Sequence, residues 1–225
     1  MPIKFSVTTT DADRHAETLS RYFKQFYARP PFGEIHWTCS GCSPPENPNL
    51  GLDVKYDSPG ICTVCGTDLE EFWSANRIGA YLRHLRGNKE DFRFYAAESD
   101  GSLVGWIWGF KKDDEWYIDF IGADRSHRRK RWMSPLVSLL TLASVRLRRN
   151  FVGRLSLRIL RSLQLLGPTL FAQCVHDSLG RGYAFTGCRT HSEKAVLLKH
   201  MKFLGFKPME PDVDHPDRIF FRLAL

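Results

Sequence analysis

The feature that most constrains the fold is a junction at residues 115–134, where an aromatic strand, a basic turn and an apolar helix follow one another. The stretch reads EWYIDFIGADRSHRRKRWMS, and five of the seven residues from His127 to Met133 are basic. Backbone N–H groups at the start of a helix point outward and the helix dipole favours negative charge, so this junction suits a phosphate. The preceding stretch, FRFYAAESDGSLVGWIWGF, places Asp100-Gly101 between two alternating runs and predicts a β-hairpin.

Four cysteines form the most specific motif of the chain. Cys39, Cys42, Cys62 and Cys65 follow the spacing C-x2-C-x19-C-x2-C. Two thiolates two residues apart on a tight turn can face one ion, and two such turns complete a tetrahedral zinc site. Because four thiolates leave no open position, we expect the Zn2+ to be structural. Two disulfides are the alternative, which the lack of a signal-peptide pattern disfavours.

Apolar periodicity predicts further helices and strands on both sides of the junction. The expected helices are 12–27, 69–85, 134–149, 151–166 and 192–204, and the expected additional strands are 3–7, 183–189 and 219–223. The helix at 151–166 is expected to end at Gly167-Pro168. Since 43% of the 225 residues are hydrophobic, the chain can bury a substantial core in one domain.

The order β-α-(insert)-α-β-β-β-α-(extra helix)-β-α-β, the basic turn and the stretch LLKHMKFLGFKPM near the C terminus together resemble the GNAT family of N-acetyltransferases. The resemblance covers about residues 3–27 and 69–225. It implies an α+β fold with a central mixed, mostly antiparallel twisted sheet flanked by helices. We therefore expect a single GNAT-like domain over residues 1–225, a zinc-ribbon insertion at 33–68 and an extra helical segment at 151–180.

The resemblance also implies a cofactor, acetyl-CoA or another acyl-CoA. The family binds the pyrophosphate of the cofactor at the turn and the pantetheine arm along the strand before it. The corresponding residues of this chain are Phe120, Ile121, Gly122, Ala123, Arg128, Arg129, Lys130, Arg131, Trp132, Met133 and Ser134.

The turn departs from the usual family pattern, Gln/Arg-x-x-Gly-x-Gly/Ala. Arg128 matches the first position, but Arg131 and Met133 stand where small residues are usual. The basic side chains of the turn can compensate by pairing directly with phosphate. Gly122, an unusual strand residue, is predicted to mark a bulge at which the strand admits the pantetheine arm.

Acyl transfer to an amine needs a base for the amine proton and an acid for the leaving thiolate. Asp119 lies where several members of the family keep a catalytic carboxylate, and its apolar neighbours would raise its pKa as a general base requires. An aspartate that points out of a half-exposed strand is the alternative. Met201 takes the position of the family's leaving-group tyrosine, and Tyr183 is a further candidate donor, so the acid stays unassigned.

The net charge of +7 is unevenly distributed. Residues 33–72 carry seven acids and one base, whereas residues 125–161 carry eleven Lys or Arg and no acid. This basic region would attract a polyanion, so one alternative is a GNAT-fold transferase acting on, or supplied by, nucleic acid (tRNA or a DNA base). A non-catalytic GNAT-like binding module is another. A membrane-surface helix is a weaker interpretation, because the segment is also expected to cover the sheet.

We expect an acyl-CoA-dependent N-acyltransferase that moves an acetyl or related acyl group to an amine on a small molecule or a protein. No apolar run reaches the roughly 18 residues that a membrane span needs. The N-terminal sequence lacks the apolar segment of a signal peptide. Both observations predict a cytoplasmic protein.

Overall fold

The computed structural model describes residues 3–28, 36–44, 55–124, 135–147, 149–163, 165–191, 195–211 and 218–225. In chain order the elements are β1 (Lys4–Thr8), a 3-10 helix (Ala12–His15), α1 (Ala16–Tyr27), β2 (Trp37–Thr38), β3 (Glu70–Glu71), α2 (Ala75–Asn88), β4 (Arg93–Ser99), β5 (Ser102–Lys112), β6 (Glu115–Ala123), α3 (Pro135–Arg146), α4 (Phe151–Ser162), α5 (Leu166–Gly180), β7 (Phe185–His191), α6 (Ala195–Leu204), β8 (Lys207–Pro211) and β9 (Arg218–Ala224). The chain divides into two compact units, residues 9–89 and residues 1–8 with 90–225.

The larger unit is built on a seven-stranded sheet in the order β1-β4-β5-β6-β7-β9-β8. All neighbouring strands are antiparallel except β6 and β7, which are parallel. The predicted hairpin of β4 and β5 is confirmed, since Asp100 and Gly101 both take positive φ angles, 52° and 75°, in the turn between them. Helices flank this mixed, mostly antiparallel sheet, and the expected α+β class is confirmed.

Helix α5 packs on the sheet and forms the main core of the larger unit. Its residues Leu166, Leu170 and Val175 are buried together with Tyr95, Trp116 and other side chains of the strands. The helix lies close to β5, because a Cβ on Gly105 would come within 2.8 Å of the Leu166 side chain. A glycine at this strand position therefore permits the close contact.

The helices after the basic turn differ from the sequence prediction. The second of them, α4, ends at Ser162, and a further helix, α5, begins at Leu166. Gly167-Pro168, expected to end a helix, instead lies in the first turn of α5, where a proline is tolerated because its missing N–H has no helical partner. A membrane span would need a longer and more apolar helix than any found in the described ranges.

The smaller unit contains α1, α2 and the two-stranded pair of β2 and β3. Helix α1 buries Leu19 and Phe23, whereas Phe26 is 40% exposed. Helix α2 begins at Ala75 rather than near residue 69, because Ser74 caps it by accepting a hydrogen bond from the N–H of Arg77 at 3.2 Å. The residues just before the cap form β3 instead.

Candidate active site and metal centre

The parallel strands β6 and β7 pair only at their beginnings. Their ladder runs from Glu115–Phe185 to Ile118–Cys188. Beyond that last pair, β6 continues to Ala123 on the side of β5, and β7 continues to His191 on the side of β9. Two neighbouring strands that both continue without pairing to each other must separate, so a gap opens in the sheet beyond Ile118 and Cys188.

A bulge in β6 lies where the gap opens. Trp108 of β5 pairs with Phe120, and the next residue, Gly109, pairs with Ile118. Asp119 is therefore an extra residue of β6, and such a residue bends the strand locally. The sequence prediction of a bulge at Gly122 is wrong.

Gly122 has a different structural role. It pairs with Trp106 across the β5–β6 ladder. A Cβ at this position would lie 2.3 Å from the Trp106 ring, so only glycine fits beside the indole. The unusual strand glycine thus reflects the packing of a bulky neighbour.

The carboxylate of Asp119 is half-buried and held by a buried indole. Its Oδ2 atom accepts a hydrogen bond from Nε1 of Trp108 at 2.9 Å. The Trp108 ring is itself fully buried and lies 4.9 Å from the ring of Phe120. The sequence left two alternatives, a desolvated base and an aspartate that points into solvent. The Asp119 side chain is neither fully buried nor directed freely into solvent.

The Asp119 charge also acts on the neighbouring strand residue, Tyr117. Burial and then the charge of Asp119 raise the pKa of the Tyr117 hydroxyl, while Arg189 and Arg218 oppose the shift. A carboxylate and two arginines therefore lie close enough to the Tyr117 hydroxyl, at the start of the gap, for their charges to act on it. This group was not predicted from the sequence, because three of its members lie on β7, on β9 and at an unexpected bulge.

The predicted cofactor-binding residues fall into two sets. Phe120, Ile121, Gly122 and Ala123 line β6 beyond the bulge, and Ile121 is 53% exposed. The turn residues, Arg128, Arg129, Lys130, Arg131, Trp132, Met133 and Ser134, lie outside the described residues. Helix α3 begins at Pro135, directly after the turn and one residue after the predicted start.

The closed end of the β6–β7 ladder is held by a buried ion pair. Glu115 is almost fully buried, and its Oε2 atom lies 2.7 Å from Nε of Arg222 on β9. Burial raises the pKa of Glu115, and the hydrogen bond and charge of Arg222 oppose that shift. A Cβ on Gly187 of β7 would come within 2.5 Å of the same carboxylate. This pair joins β6 to β9 at the end of the β6–β7 ladder opposite the gap.

The four cysteines of the spaced motif come together in the smaller unit. Their sulfur atoms all lie within 4.8 Å of one another, with 3.3 Å between Cys39 and Cys65 and 3.8 Å between Cys42 and Cys62. A tetrahedral zinc site with Zn–S bonds of about 2.3 Å places its sulfurs about 3.8 Å apart. All six cysteines of the chain are free. The donor set thus fits a closed tetrahedral metal site.

The two cysteine pairs lie on similar turns. The N–H of Ser43 bonds to the carbonyl of Cys39 at 2.8 Å, and the N–H of Gly66 bonds to the carbonyl of Cys62 at 2.9 Å. The hydroxyl of Tyr56, 3.5 Å from Cys62 Sγ, is the main cause that lowers the pKa of this thiol to about 6. A depressed pKa favours the thiolate, the form that binds metals.

Buried contacts tie the first cysteine turn to α2. The guanidinium of Arg77, 4% exposed, donates to the carbonyl of Ser43 at 2.9 Å and lies 3.6 Å from a carboxylate oxygen of Glu70. Cys39, Cys62 and Leu69 form a small apolar cluster beside it. The cysteines therefore lie within a local core of their own.

Comparison with protein families gives a match over the region that contains the bulge and the gap-lining part of β6. Residues 65–157 match the model of the Acetyltransferase (GNAT) family. The match indicates a GNAT acetyltransferase domain at residues 65–157. This confirms the resemblance read from the sequence and supports an N-acyltransferase. A comparison with curated protein sequences gives no match.

Solved structures with a similar fold include several acetyltransferases, among them a GNAT-family member. The PaiA N-acetyltransferase of Thermoplasma acidophilum, solved in complex with coenzyme A, is 12% identical with a TM-score of 0.54, and the match covers 100% of both chains. A GNAT-family acetyltransferase of Staphylococcus aureus is 9% identical with a TM-score of 0.53, covering 99% of both chains. An acetyltransferase of Thermus thermophilus is 11% identical with a TM-score of 0.50, covering 100% of this chain and 98% of the other. At these identities the likeness shows the fold alone.

The fold does not bring the candidate acid Tyr183 to the gap. Tyr183 precedes the first pair of the β6–β7 ladder, and its hydroxyl donates to Asp91 Oδ2 at 2.7 Å. Arg181 pairs with the same carboxylate. Met201 is buried in the main core of the larger unit. Tyr183 therefore belongs to a polar cluster at the closed end of the ladder, and its assignment as the acid loses its support.

Proposed function

We propose that the chain is an acyl-CoA-dependent N-acyltransferase that moves an acetyl or related acyl group from CoA to an amine acceptor. The observation that carries the proposal is the separation of β6 from β7 at the bulged residue Asp119, within a GNAT domain. The separation exposes one side of a strand to a ligand without breaking the rest of the sheet. An extended chain such as pantetheine can bond to the backbone of such a strand.

The acyl donor would lie along β6. Phe120, Ile121, Gly122 and Ala123 would contact the pantetheine arm, and the basic turn 128–134 would hold the pyrophosphate. Helix α3 supports this placement, because its N-terminal end directly follows the turn and favours negative charge. The coenzyme A complex of the Thermoplasma relative supports an acyl-CoA as the donor.

The chemistry is attack of a neutral amine on the thioester carbonyl. Asp119 would accept the proton that the amine loses as the new C–N bond forms. The tetrahedral intermediate then collapses, the C–S bond breaks, and the CoA thiolate leaves with both electrons of that bond. Trp108 would orient Asp119 through its hydrogen bond, so the base reaches the amine from a fixed position.

The four cysteines would hold a structural Zn2+ within a ribbon inserted at residues 33–68 of a single GNAT-like domain. Their mutual distances and the paired turns support this proposal. The helical segment 151–180 would be an addition to the same domain. The acceptor would be an amine on a small molecule or a protein, and the cytoplasmic location expected from the sequence stays a prediction.

The first test is thermal stability of the zinc-loaded protein with acetyl-CoA and with CoA, because a ligand of the native state raises the midpoint by mass action. The shift should be lost in an Arg128→Ala/Lys130→Ala double variant and kept in a Lys199→Gln/Lys202→Gln control on α6. Release of CoA thiol in the presence of amine acceptors then tests turnover. A protein that shows no shift with either ligand and no acyl transfer would sink the proposal, and a salt-sensitive shift with tRNA or DNA instead would favour the nucleic-acid alternative.

A further inference from the structure

Helices α3 and α4 carry an unusual concentration of exposed apolar side chains. Fourteen large apolar side chains are exposed among the described residues, and half of them lie within positions 136–163. These seven are Leu136, Leu139, Leu147, Phe151, Val152, Leu155 and Leu163. The most exposed of them is Phe151, at 67%. Scattered single exposures are ordinary, whereas contiguous exposed apolar side chains mark an interaction surface.

Helix α4 buries two small residues and one leucine, and it leaves several large apolar side chains exposed. Its buried residues are Gly153, Ser156 and Leu160. Phe151 and Leu155, one helical turn apart, are exposed, and so is Val152 beside them. A helix that only covered a core would keep its large apolar side chains inside.

Arginines accompany this apolar stripe. Arg154, Arg158 and Arg161 are exposed and recur at i, i+4 and i+7. At about 100° per residue they lie along one edge of the outward arc, and Phe151, Leu155 and Val152 lie along the other. The chain has no Asp or Glu between residues 125 and 176, so no acidic side chain of this segment neutralises them.

The packing of α4 leaves this outward arc available. The sheet is covered by α5, through Leu166, Leu170 and their neighbours. Helix α4 packs with α3 and α5 around Val137, Leu160, Leu165 and Ala172. The sequence-based objection to a membrane-surface role, that the segment must cover the sheet, therefore does not hold for α4.

We propose that the outward arc of α4, formed by Phe151, Val152, Arg154, Leu155, Arg158 and Arg161, binds the surface of an anionic phospholipid bilayer. The apolar side chains would enter the boundary between headgroups and acyl chains, and the arginines would contact lipid phosphates. A polynucleotide offers phosphates but leaves Phe151 and Leu155 in water. A second copy of the same arc brings like charges together, which opposes self-association. The inference is independent of the acyltransferase activity.

The test is co-flotation of the full chain with phosphatidylcholine vesicles that contain or lack phosphatidylglycerol, at low and at physiological salt. We expect flotation only with the anionic vesicles, and weaker flotation at the higher salt. Each arginine near an anionic surface contributes about 1 kcal/mol of membrane-binding free energy. An Arg154→Gln/Arg158→Gln/Arg161→Gln variant should therefore bind the anionic vesicles on the order of a hundredfold less strongly. Phe151→Ser/Leu155→Ser should also lose flotation.

A matched control changes two bases and one exposed aromatic residue on another helix of the same unit, Lys199→Gln/Lys202→Gln/Phe203→Ser on α6. This control should float like the wild type, and all variants should keep the wild-type circular dichroism spectrum. Wild-type protein that stays off anionic vesicles would overturn the proposal. Flotation of the α4 variants equal to that of the wild type would also overturn it. So would variants that keep lipid binding but abolish a salt-sensitive dimer or binding to an acidic protein.

Discussion

Asp119 combines three properties that a general base needs: a position at the gap, a fixed orientation and partial burial. We expect Asp119→Asn to lower kcat by about 100-fold or more, the range typical of a lost general base, with little change in acetyl-CoA binding. Steady-state kinetics and the thermal shift with acetyl-CoA measure the two effects separately. Asp113→Asn, an exposed aspartate in the β5–β6 turn, is the matched control. Unchanged kcat in Asp119→Asn would remove the residue from the mechanism.

Trp108 is predicted to act through Asp119. Trp108→Phe keeps an aromatic ring but removes the N–H that donates to the Asp119 carboxylate. Loss of a hydrogen bond to the charged form of an acid raises its pKa. The acidic limb of the pH–rate profile should therefore move to higher pH, with the KM for acetyl-CoA unchanged. Trp116→Phe, at a second fully buried indole, should cost similar stability and leave the limb in place. Equal movement of the limb in both variants would indicate a general effect of core damage.

The sequence identified Asp119 but misplaced the bulge beside it. A carboxylate in an apolar strand is visible in one stretch of sequence, whereas a bulge is a property of the register between two strands. Gly122 looked like the irregular position because glycine is rare in strands, yet it serves the packing of Trp106. The hydrogen bond from Trp108 could not be foreseen either, since it depends on the residue that the bulge inserts.

A polar cluster joins the loop before β4 to the end of α5. Asp91 accepts from Tyr183 at 2.7 Å and pairs with Arg181 and with Arg93. Burial would raise the pKa of Asp91, but the hydrogen bond of Tyr183 and the charge of Arg181 outweigh it and hold the pKa below its ordinary value of 3.8. The folded pKa is therefore lower than the unfolded one. The carboxylate contributes stability above the unfolded pKa, and this stability is lost as the pH falls through the folded pKa.

We expect Asp91→Asn to lower the free energy of unfolding at neutral pH by about 1–3 kcal/mol, since the variant leaves Arg181 and Tyr183 without the charge they pair with. The loss should shrink as the pH approaches the acidic range where the wild-type carboxylate is protonated. Urea unfolding at several pH values measures both. Asp100→Asn, also at positive φ but in the exposed hairpin turn, controls for the backbone. A loss that stays constant down to acidic pH would contradict the electrostatic origin.

The order of the larger helices and strands was largely predictable, because most of them show their own periodicity or turn signal. The short strands β2, β3 and β8 and the helix α5 were not predicted. Helix α5 was not predicted because Gly167-Pro168 can either end one helix or lie at the start of the next. The gap was not visible at all. It depends on Ile118 and Cys188, seventy residues apart, forming the last pair of a parallel ladder, and such long-range pairing leaves no trace in local patterns. The resemblance to the GNAT family, rather than periodicity, indicated that a cofactor would lie along β6.

The cysteine motif was predictable from spacing alone, and its energetic role can be tested on the intact chain. Metal binding to a site that exists only in the folded state contributes to folding free energy. We expect a chelator to lower the thermal midpoint and to speed amide exchange in β2, β3 and the two cysteine turns, because the local core there is small. The ladder of β4 to β6 should stay protected, since its strands are held by their own core.

Cys39→Ser/Cys62→Ser should lose the bound zinc and reproduce the exchange pattern of the chelated protein. Cys174→Ala, at a buried thiol of the main core, should keep one zinc per chain while losing stability through the cavity it creates. Metal content by atomic absorption and hydrogen exchange by mass spectrometry separate the two effects. Full zinc content in the double serine variant would rule out these four sulfurs as the site. Unchanged exchange in a zinc-free protein would show that the cysteine turns fold without the ion.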